Sequence, residues 1–420
     1  MEEKLNKGRD HFNCMSSAKR ELLHVLSAAE RLVHSRNPLL AICVLLVTVI
    51  IVAGLWPFDF FPANGANWLS QKRGVRFSHY GIGYSKDALV LSPPDSAAEP
   101  VQPLSIEILL KPYEETAGYI ARIVVLSRDL EEAPLLTIGQ WRSFFLVRTP
   151  RQANEADGEV DEIGVKGALR PGEKRFVTLT AGPRGATIYL DGARAEDFPS
   201  HRLSSNAGGK TSFRLVLGND TVGKSPWHGE ILGLAIYDRE LRPEDVRLHY
   251  EQWGEGNYSA LTGGRGVVGV YTFDEGSGPW VHNRVADSGR LWIPDLFRPL
   301  QREILASPGR GFKLERYFVE DVIVNVLGFV PLGYFLMGLL LAYPGPSSTR
   351  PMWLGLVVVA VGTGLSLFIE LLQVYLPTRD SSLVDVISNT AGTALGVLFF
   401  HLTTGRWISP QRRRERGEGF

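Results

Sequence analysis

Charge of neither sign dominates this 420-residue chain: 45 Lys and Arg balance 45 Asp and Glu, so no global field draws it to nucleic acid. Cysteine is scarce. Cys14 and Cys43, the only two, fall in the N-terminal segment and in an apolar run, so no disulfide staples the long central region, which must fold on packing alone. No phosphate-cradling glycine loop, no nucleophile beside a base and no His-rich zinc spacing is present, and His24, His34 and His401 stand isolated. Those absences remove the most legible signatures of an enzyme.

What is present is segregation. Mean hydropathy lies near zero because a few unbroken apolar stretches near both ends are averaged with an ordinarily polar middle. From Leu39 to Leu55 the sequence reads LLAICVLLVTVIIVAGL, an uncharged run of about 17 residues, the short end of what crosses a bilayer core. A polar segment, 1–38, precedes it and WPFDFFP follows without a small-residue cleavage site, so it reads as an uncleaved signal anchor. Residues 322–343, 352–376 and 383–402 form three further apolar stretches of spanning length. Lys4, Lys7, Arg9, Lys19, Arg20, Arg31 and Arg36 precede the first span, and Arg406, Arg412, Arg413, Arg414 and Arg416 lie in the 403–420 tail. The positive-inside rule places both termini in the cytoplasm and the segment between the first two spans outside a multi-pass cytoplasmic-membrane protein. Before the first span, Leu22, Leu23, Val25, Leu26, Ala29, Leu32 and Val33 share a helix face, which rests on the inner leaflet or packs on its own bundle.

Between 63 and 311 the pattern changes to alternation punctuated by Gly and Pro, as in an antiparallel sandwich. Leu104, Ile106 and Ile108 alternate with polar neighbours, as do Phe213, Leu215 and Leu217, and Asp191-Gly192 sits where a tight hairpin turn belongs. PLSIEILLKP, RPGEKRFVTLTAGPRGATIYLDGARA, FRLVLGND and WHGEILGLAIYDRELRPEDV resemble, in order, the strands of the laminin-G-like, concanavalin A-like jelly roll. Phe176 stands where that family usually has a Trp, and GVYTFDEGSGPWVHNRV looks like its first strand pair placed last. The resemblance implies saccharide or calcium binding. Asn219, Asp220, Asp274 and Glu275 are calcium candidates because hard cations take clustered oxygens, although Asp and Asn are also standard turn residues. Trp141, Trp227 and Trp280 are candidates for stacking on sugar rings, or buried packing groups.

Polar groups inside the spans are costly unless paired or facing water. Asp321 and Asn325 on the second span, Ser366, Glu370 and Gln373 on the third, and Asp385 and Asn389 on the fourth each share a helix face, and Arg379 lies in the LPTRDSS connection as a counter-charge for Glu370 or Asp385. The alternating direction of the spans places all of them at the outer surface. Gly392 and Gly396 form a GxxxG spacing beside Asn389, and Gly362 continues the stripe of Ser366 and Glu370, which permits close helix approach. NVLGFVPLGYFL, LSLFIELLQVYLPTRD and SLVDVISNTAGTALG resemble the VanZ-like family, and WPFDFF is similar to the end of its first helix. The resemblance implies a four-helix membrane protein of a family named for glycopeptide (teicoplanin) resistance. Its polar signature falls on Asn325, Glu370, Gln373, Arg379, Asp385 and Asn389, with Pro331, Gly333, Gly392 and Gly396 as structural positions. Short members lack the inserted domain.

The expected architecture is therefore a membrane α-helical bundle of four transmembrane helices with an inserted all-β jelly-roll sandwich. Two functions fit it. In one, an outward-facing membrane site binds or processes the head group of a membrane lipid or lipid-linked glycan, with Glu370, Asp385 and Arg379 as catalytic candidates, Asn325, Gln373 and Asn389 binding, and the sandwich recognising envelope polysaccharide. In the other, the bundle is a non-catalytic anchor for a glycan-binding or adhesion domain. The topology is tested by reporter fusions: a cytoplasmic reporter is expected to be silent at Gly208 and active after Phe420, and the reverse pattern overturns it.

Overall fold

A computed structural model of the chain describes residues 36–92, 102–130, 134–150, 160–199, 201, 212–302, 304–307, 316–342 and 351–404. The amphipathic stretch with Lys19, Arg20 and Arg31, together with Cys14, His24, His34 and the tail from Arg406 onward, lies outside the described residues. The chain forms two compact units, Met1–Phe58 with Glu303–Phe420, and Asp59–Arg302.

The first unit holds four helices long and apolar enough to cross a membrane: Arg36–Leu55, Arg316–Leu341, Pro351–Gln373 and Leu383–Thr404, here the first to fourth spans. The chain is a membrane protein. The second span begins six residues before its apolar run, because Arg316 Nε pairs with Glu320 Oε1 at 2.6 Å one turn on and extends the helix into polar sequence. The third ends at Gln373 rather than Leu376, since Pro377 disfavours helix in the residue before it; Tyr375 and Leu376 bond back to Leu372 and Gln373 in tight turns instead. Second and fourth spans meet backbone to backbone. A Cβ added at Gly392 would run into the Val326 carbonyl, at Gly396 into that of Val330, and at Gly333 into that of Thr393.

The second unit is a sandwich of two antiparallel sheets. One runs Asn67–Trp68, Val75–Phe77, Gly229–Tyr237, Leu104–Pro112, Arg175–Gly182, Gly185–Leu190, Ala193–Phe198, with Val267–Tyr271 also on Gly229–Tyr237. The other runs Trp280–Val281, Leu291–Trp292, Gly83–Ser85, Ser212–Leu217, Thr116–Ser127, Pro134–Arg142, Phe144–Pro150, Val160–Val165, with Leu89–Val90 also on Ser212–Leu217. Leu104, Ile106 and Ile108 from one sheet and Phe213, Leu215 and Leu217 from the other face each other across the core. Asp191 (φ 50°) and Gly192 (φ 80°) turn the Gly185–Leu190 and Ala193–Phe198 hairpin in the left-handed conformation that Gly adopts freely. The late segment from Gly269 closes the fold by adding a strand to each sheet.

The sandwich occupies 59–302 rather than 63–311, because its two ends pair with each other. Ala63 bridges Leu296, the Asn64 amide donates to Asp295 O at 2.9 Å and the Phe297 amide to Pro62 O at 2.8 Å. The helix Pro243–Glu255 covers the other face of the first sheet, burying Val246 and Trp253 against Leu109, Phe176 and Tyr237.

The close helix contact yields a prediction. Gly392→Leu forces apart the second and fourth spans and is expected to lower the stability of the bundle by about 1–3 kcal/mol, read as a lower thermal midpoint in detergent. Gly364→Ala, whose Cβ meets nothing within 4 Å, is expected to leave the midpoint unchanged.

Candidate functional site

The third span presents Ser366, Glu370 and Gln373 along one stripe, and all three are buried within the protein. Each reaches another helix. Glu370 Oε2 accepts the Ser382 amide at 2.7 Å, at the start of the fourth span. A helix leaves its first amides unpartnered and its N-terminus partly positive, so a carboxylate there both supplies an acceptor and meets a favourable field. Gln373 Nε2 donates to Gly54 O at 2.9 Å, near the end of the first span. Asn389 Nδ2 donates to Ser366 Oγ at 2.9 Å, joining the fourth span to the third.

Arg379 differs from the sequence expectation. Its bonds go to neither Glu370 nor Asp385: Nε donates to Trp56 O at 3.3 Å, and Nη2 donates to Ala53 O at 3.2 Å and to Trp56 O at 3.3 Å. The last carbonyls of the first span have no partner in their own helix, and a planar guanidinium can serve several of them at once. Asp385 is hydrogen-bonded instead by Asn325, and Asp321 is near enough to act electrostatically on both Glu370 and Asp385. Asn325, Glu370, Gln373, Arg379, Asp385 and Asn389 therefore gather toward one end of the bundle, knit partly through backbone groups of the first and fourth spans.

Sequence reasoning missed the segment 304–307, which binds this end from outside the helices. The Ala306 amide donates to Ser381 O at 2.9 Å, Leu305 to Ser381 Oγ at 3.1 Å, and the Leu383 amide to Ala306 O at 3.1 Å. Four residues without periodicity offered no signal.

In the sandwich, Trp227 is fully buried and donates Nε1 to Gln140 Oε1 at 2.7 Å, so it is a packing group, not a sugar platform. Trp141 is about a third exposed, at 37%, and lies beside Phe144; Trp280 carries Arg290 with its guanidinium carbon 5.0 Å from the ring centroid. The calcium candidates lie in separate turns. Asp220 Oδ1 accepts the amides of Val222, Gly223 and Lys224 at 3.1, 2.5 and 2.9 Å, and Asn219 Oδ1 those of Asp220 and Ser225 at 2.9 and 3.1 Å. Burial raises the Asp274 carboxyl, but the Thr272 hydroxyl and Arg284 outweigh it and hold the group below its usual range. Glu275 Oε1 accepts the His282 amide at 2.7 Å. Among the described residues no group of three or more His, Cys, Asp or Glu side chains is placed to hold a metal ion.

Two further features were not foreseen. Glu107, wholly buried, accepts the Tyr237 hydroxyl at 3.0 Å and Trp253 Nε1 at 3.2 Å on Oε2, and its Oε1 lies 2.8 Å from His249 Nδ1. Burial first, and then the Glu107 charge, keep the Tyr237 hydroxyl protonated well above its ordinary range. Beside that cluster a cavity of about 460 Å³ opens over Phe176, Tyr250 and Trp253, rimmed by Lys174, Asp191 and Glu255.

Residues 271–404 match the family described as VanZ/LLP1, which takes in the last three spans, and residues 96–247 match the concanavalin A-like lectin/glucanases superfamily. Similar solved structures include a candidate carbohydrate binding protein from Bacteroides ovatus, 15% identical over 54% of this chain and 59% of that one, with a TM-score of 0.34. The binding domain of botulinum neurotoxin DC in complex with SialylT is 15% identical over 46% of this chain and 45% of that one, TM-score 0.31. A Trypanosoma rangeli sialidase is 14% identical over 45% of this chain and 28% of that one, TM-score 0.30. This chain thus spans less than two thirds of each. No curated protein matches it.

Helix-end bonding predicts a stability effect. Arg379→Ala and Gln373→Ala each free carbonyls of the first span and are expected to lower the thermal midpoint of the protein in detergent, by about 1 kcal/mol for each lost interhelical contact. Unchanged midpoints in both would mean that these side chains do not hold the first span.

Proposed function

We propose that this chain, a VanZ-like membrane domain carrying an inserted concanavalin A-like sandwich, recognises a lipid-linked or envelope glycan on the extracytoplasmic side of the membrane. The observation that carries the reading is one of connectivity. The first span ends at Leu55 and the second begins at Arg316, so the chain leaves the bundle and returns to it at the end where Glu370, Asp385 and Asn325 gather. A glycan on a lipid has a polymer for the sandwich and a head group for the bundle. In the sandwich, the cavity at Tyr250 offers what sugars use: an aromatic wall, with Tyr250 39% exposed, and charged rim groups for hydroxyls. In the bundle, Asp385, Asn325 and Asn389 are the groups not engaged with a helix end, and they supply acceptors for a head group's hydroxyl or amine. Arg379 is committed to the first span, so this reading assigns it no phosphate.

A second reading, the non-catalytic anchor, is favoured by the same commitment: Arg379, Gln373 and Glu370 all tie helix ends together, as purely structural groups would. The two readings part at Asp385. With full-length protein in nanodiscs, binding of lipid-linked envelope glycan is expected to weaken severalfold in Asp385→Asn and in Tyr250→Ala, with thermal midpoints near that of the parent. Loss in Tyr250→Ala alone would leave the anchor; binding unchanged in both variants would sink the proposal.

A further inference from the structure

One edge of the sandwich carries chemistry that neither the cavity at Tyr250 nor the polar end of the bundle uses. Trp280 pairs across strands with Trp292, and Trp292 with Tyr84, so three aromatic side chains stand in one row on one face of the nine-stranded sheet. Cations cover that row. Lys86 Nζ lies 3.8 Å from the ring centroid of Trp292 and 5.1 Å from that of Trp280, and Arg290 adds its guanidinium to Trp280. Lys86 and Arg290 are both exposed.

The pattern recurs where the sandwich begins and ends. Arg298 stands 5.1 Å over the Phe61 ring, and Phe61 and Leu296, although apolar, are 45% and 43% exposed. The two places are continuous: from Trp292 the chain passes through Pro294, whose carbonyl accepts Asn64 Nδ2 at 2.7 Å, to Leu296, bridged to Ala63. The tether to the membrane is short. The Phe58 amide bonds Leu55 O at 2.7 Å, closing the last turn of the first span, and the four residues 59–62 that follow reach at most about 14 Å. The headgroup layer of one leaflet is roughly 5–8 Å thick, so a link of that length lets Phe61, at the start of the sandwich, reach it. Indole rings favour that layer, and Lys and Arg side chains are attracted to anionic lipid. The exposed Asp87 and Asp295 nearby keep the net charge small, so burial of Trp, Phe and Leu surface has to contribute alongside the cations.

We propose that this edge is a lipid-binding surface: Trp280, Trp292, Lys86 and Arg290, with Phe61 and Arg298, rest among anionic phospholipid headgroups of the leaflet on the sandwich's side. An anionic polysaccharide would meet the cations but would leave Phe61 and Leu296 bare. The proposal is independent of whether the sandwich binds a glycan.

The test uses the full chain in nanodiscs, with Cys14→Ser and Cys43→Ala and an environment-sensitive fluorophore on Asp287→Cys, in the exposed turn beside Arg290. A second protein carries the fluorophore on Arg184→Cys, whose native side chain is 89% exposed in a different hairpin. Quenching by brominated phospholipid is expected to be severalfold stronger at 287 than at 184, stronger with phosphatidylglycerol than with phosphatidylcholine alone, and reduced in Lys86→Gln/Arg290→Gln. Arg290→Gln alone serves if the double variant fails to fold. Equal quenching at the two sites, or quenching at 287 that ignores both lipid charge and the substitutions, overturns the proposal. So does protection of the 287 fluorophore only when an anionic polysaccharide is added, an outcome that assigns the edge to a polymer.

Discussion

A helix that ends in or near lipid has backbone groups that water does not reliably reach, and the bundle is organised around giving them partners. The short passage from Glu370 to Ser382 does this for two other helices at once. Glu370 takes an amide at the start of the fourth span, while Gln373 and Arg379 supply donors to the carbonyls of Ala53, Gly54 and Trp56 at the end of the first. The first span has little else to hold it polar-side: its run is apolar throughout, and only Leu39, Cys43 and Leu55 are buried against the protein. Glu370, Gln373 and Arg379, which look like parts of a charged active site in sequence, thus tie the third span and its connection to the ends of the first and fourth.

The same economy of partners shapes the sandwich. A carboxylate with no exposure would be costly if left alone, and Glu107 is surrounded by the Tyr237 hydroxyl, the Trp253 indole and His249. Two of those three come from the Pro243–Glu255 helix, so the cluster fixes that helix on the sheet and, with it, the wall of the cavity at Tyr250. Packing of Phe176 against Tyr250, with ring centroids 5.7 Å apart, completes the wall.

Much of the architecture could be read from one dimension because it rests on local periodicity. Unbroken apolar runs mark the spans, alternation marks Leu104–Pro112 and Ser212–Leu217, and Asp191-Gly192 marks a hairpin. What could not be read is partnership at a distance. Glu107 in LSIEILL has the alternating position of a solvent-facing residue, and its partners lie 130 to 146 residues further on. Arg379 sits among carboxylates in sequence, and only the folded bundle brings the carbonyls of Ala53 and Trp56 to it, 323 to 326 residues away. Trp227 looks like any surface tryptophan until Gln140 is seen to accept its indole proton. The charge of Arg379 suggests carboxylate partners that its geometry does not give it.

The pairing of the sandwich's two ends has a consequence for how the membrane unit assembles. The first span must find the second across the intervening 260 residues, 56–315, and closing a flexible loop of that length carries a length-dependent entropy cost of about 5 kcal/mol. Once the sandwich has folded, Pro62 and Phe297 are hydrogen-bonded neighbours, and that loop is reduced to two short connections. An inserted domain that folds before the spans assemble removes most of the chain entropy that would otherwise oppose return of the first helix to the other three.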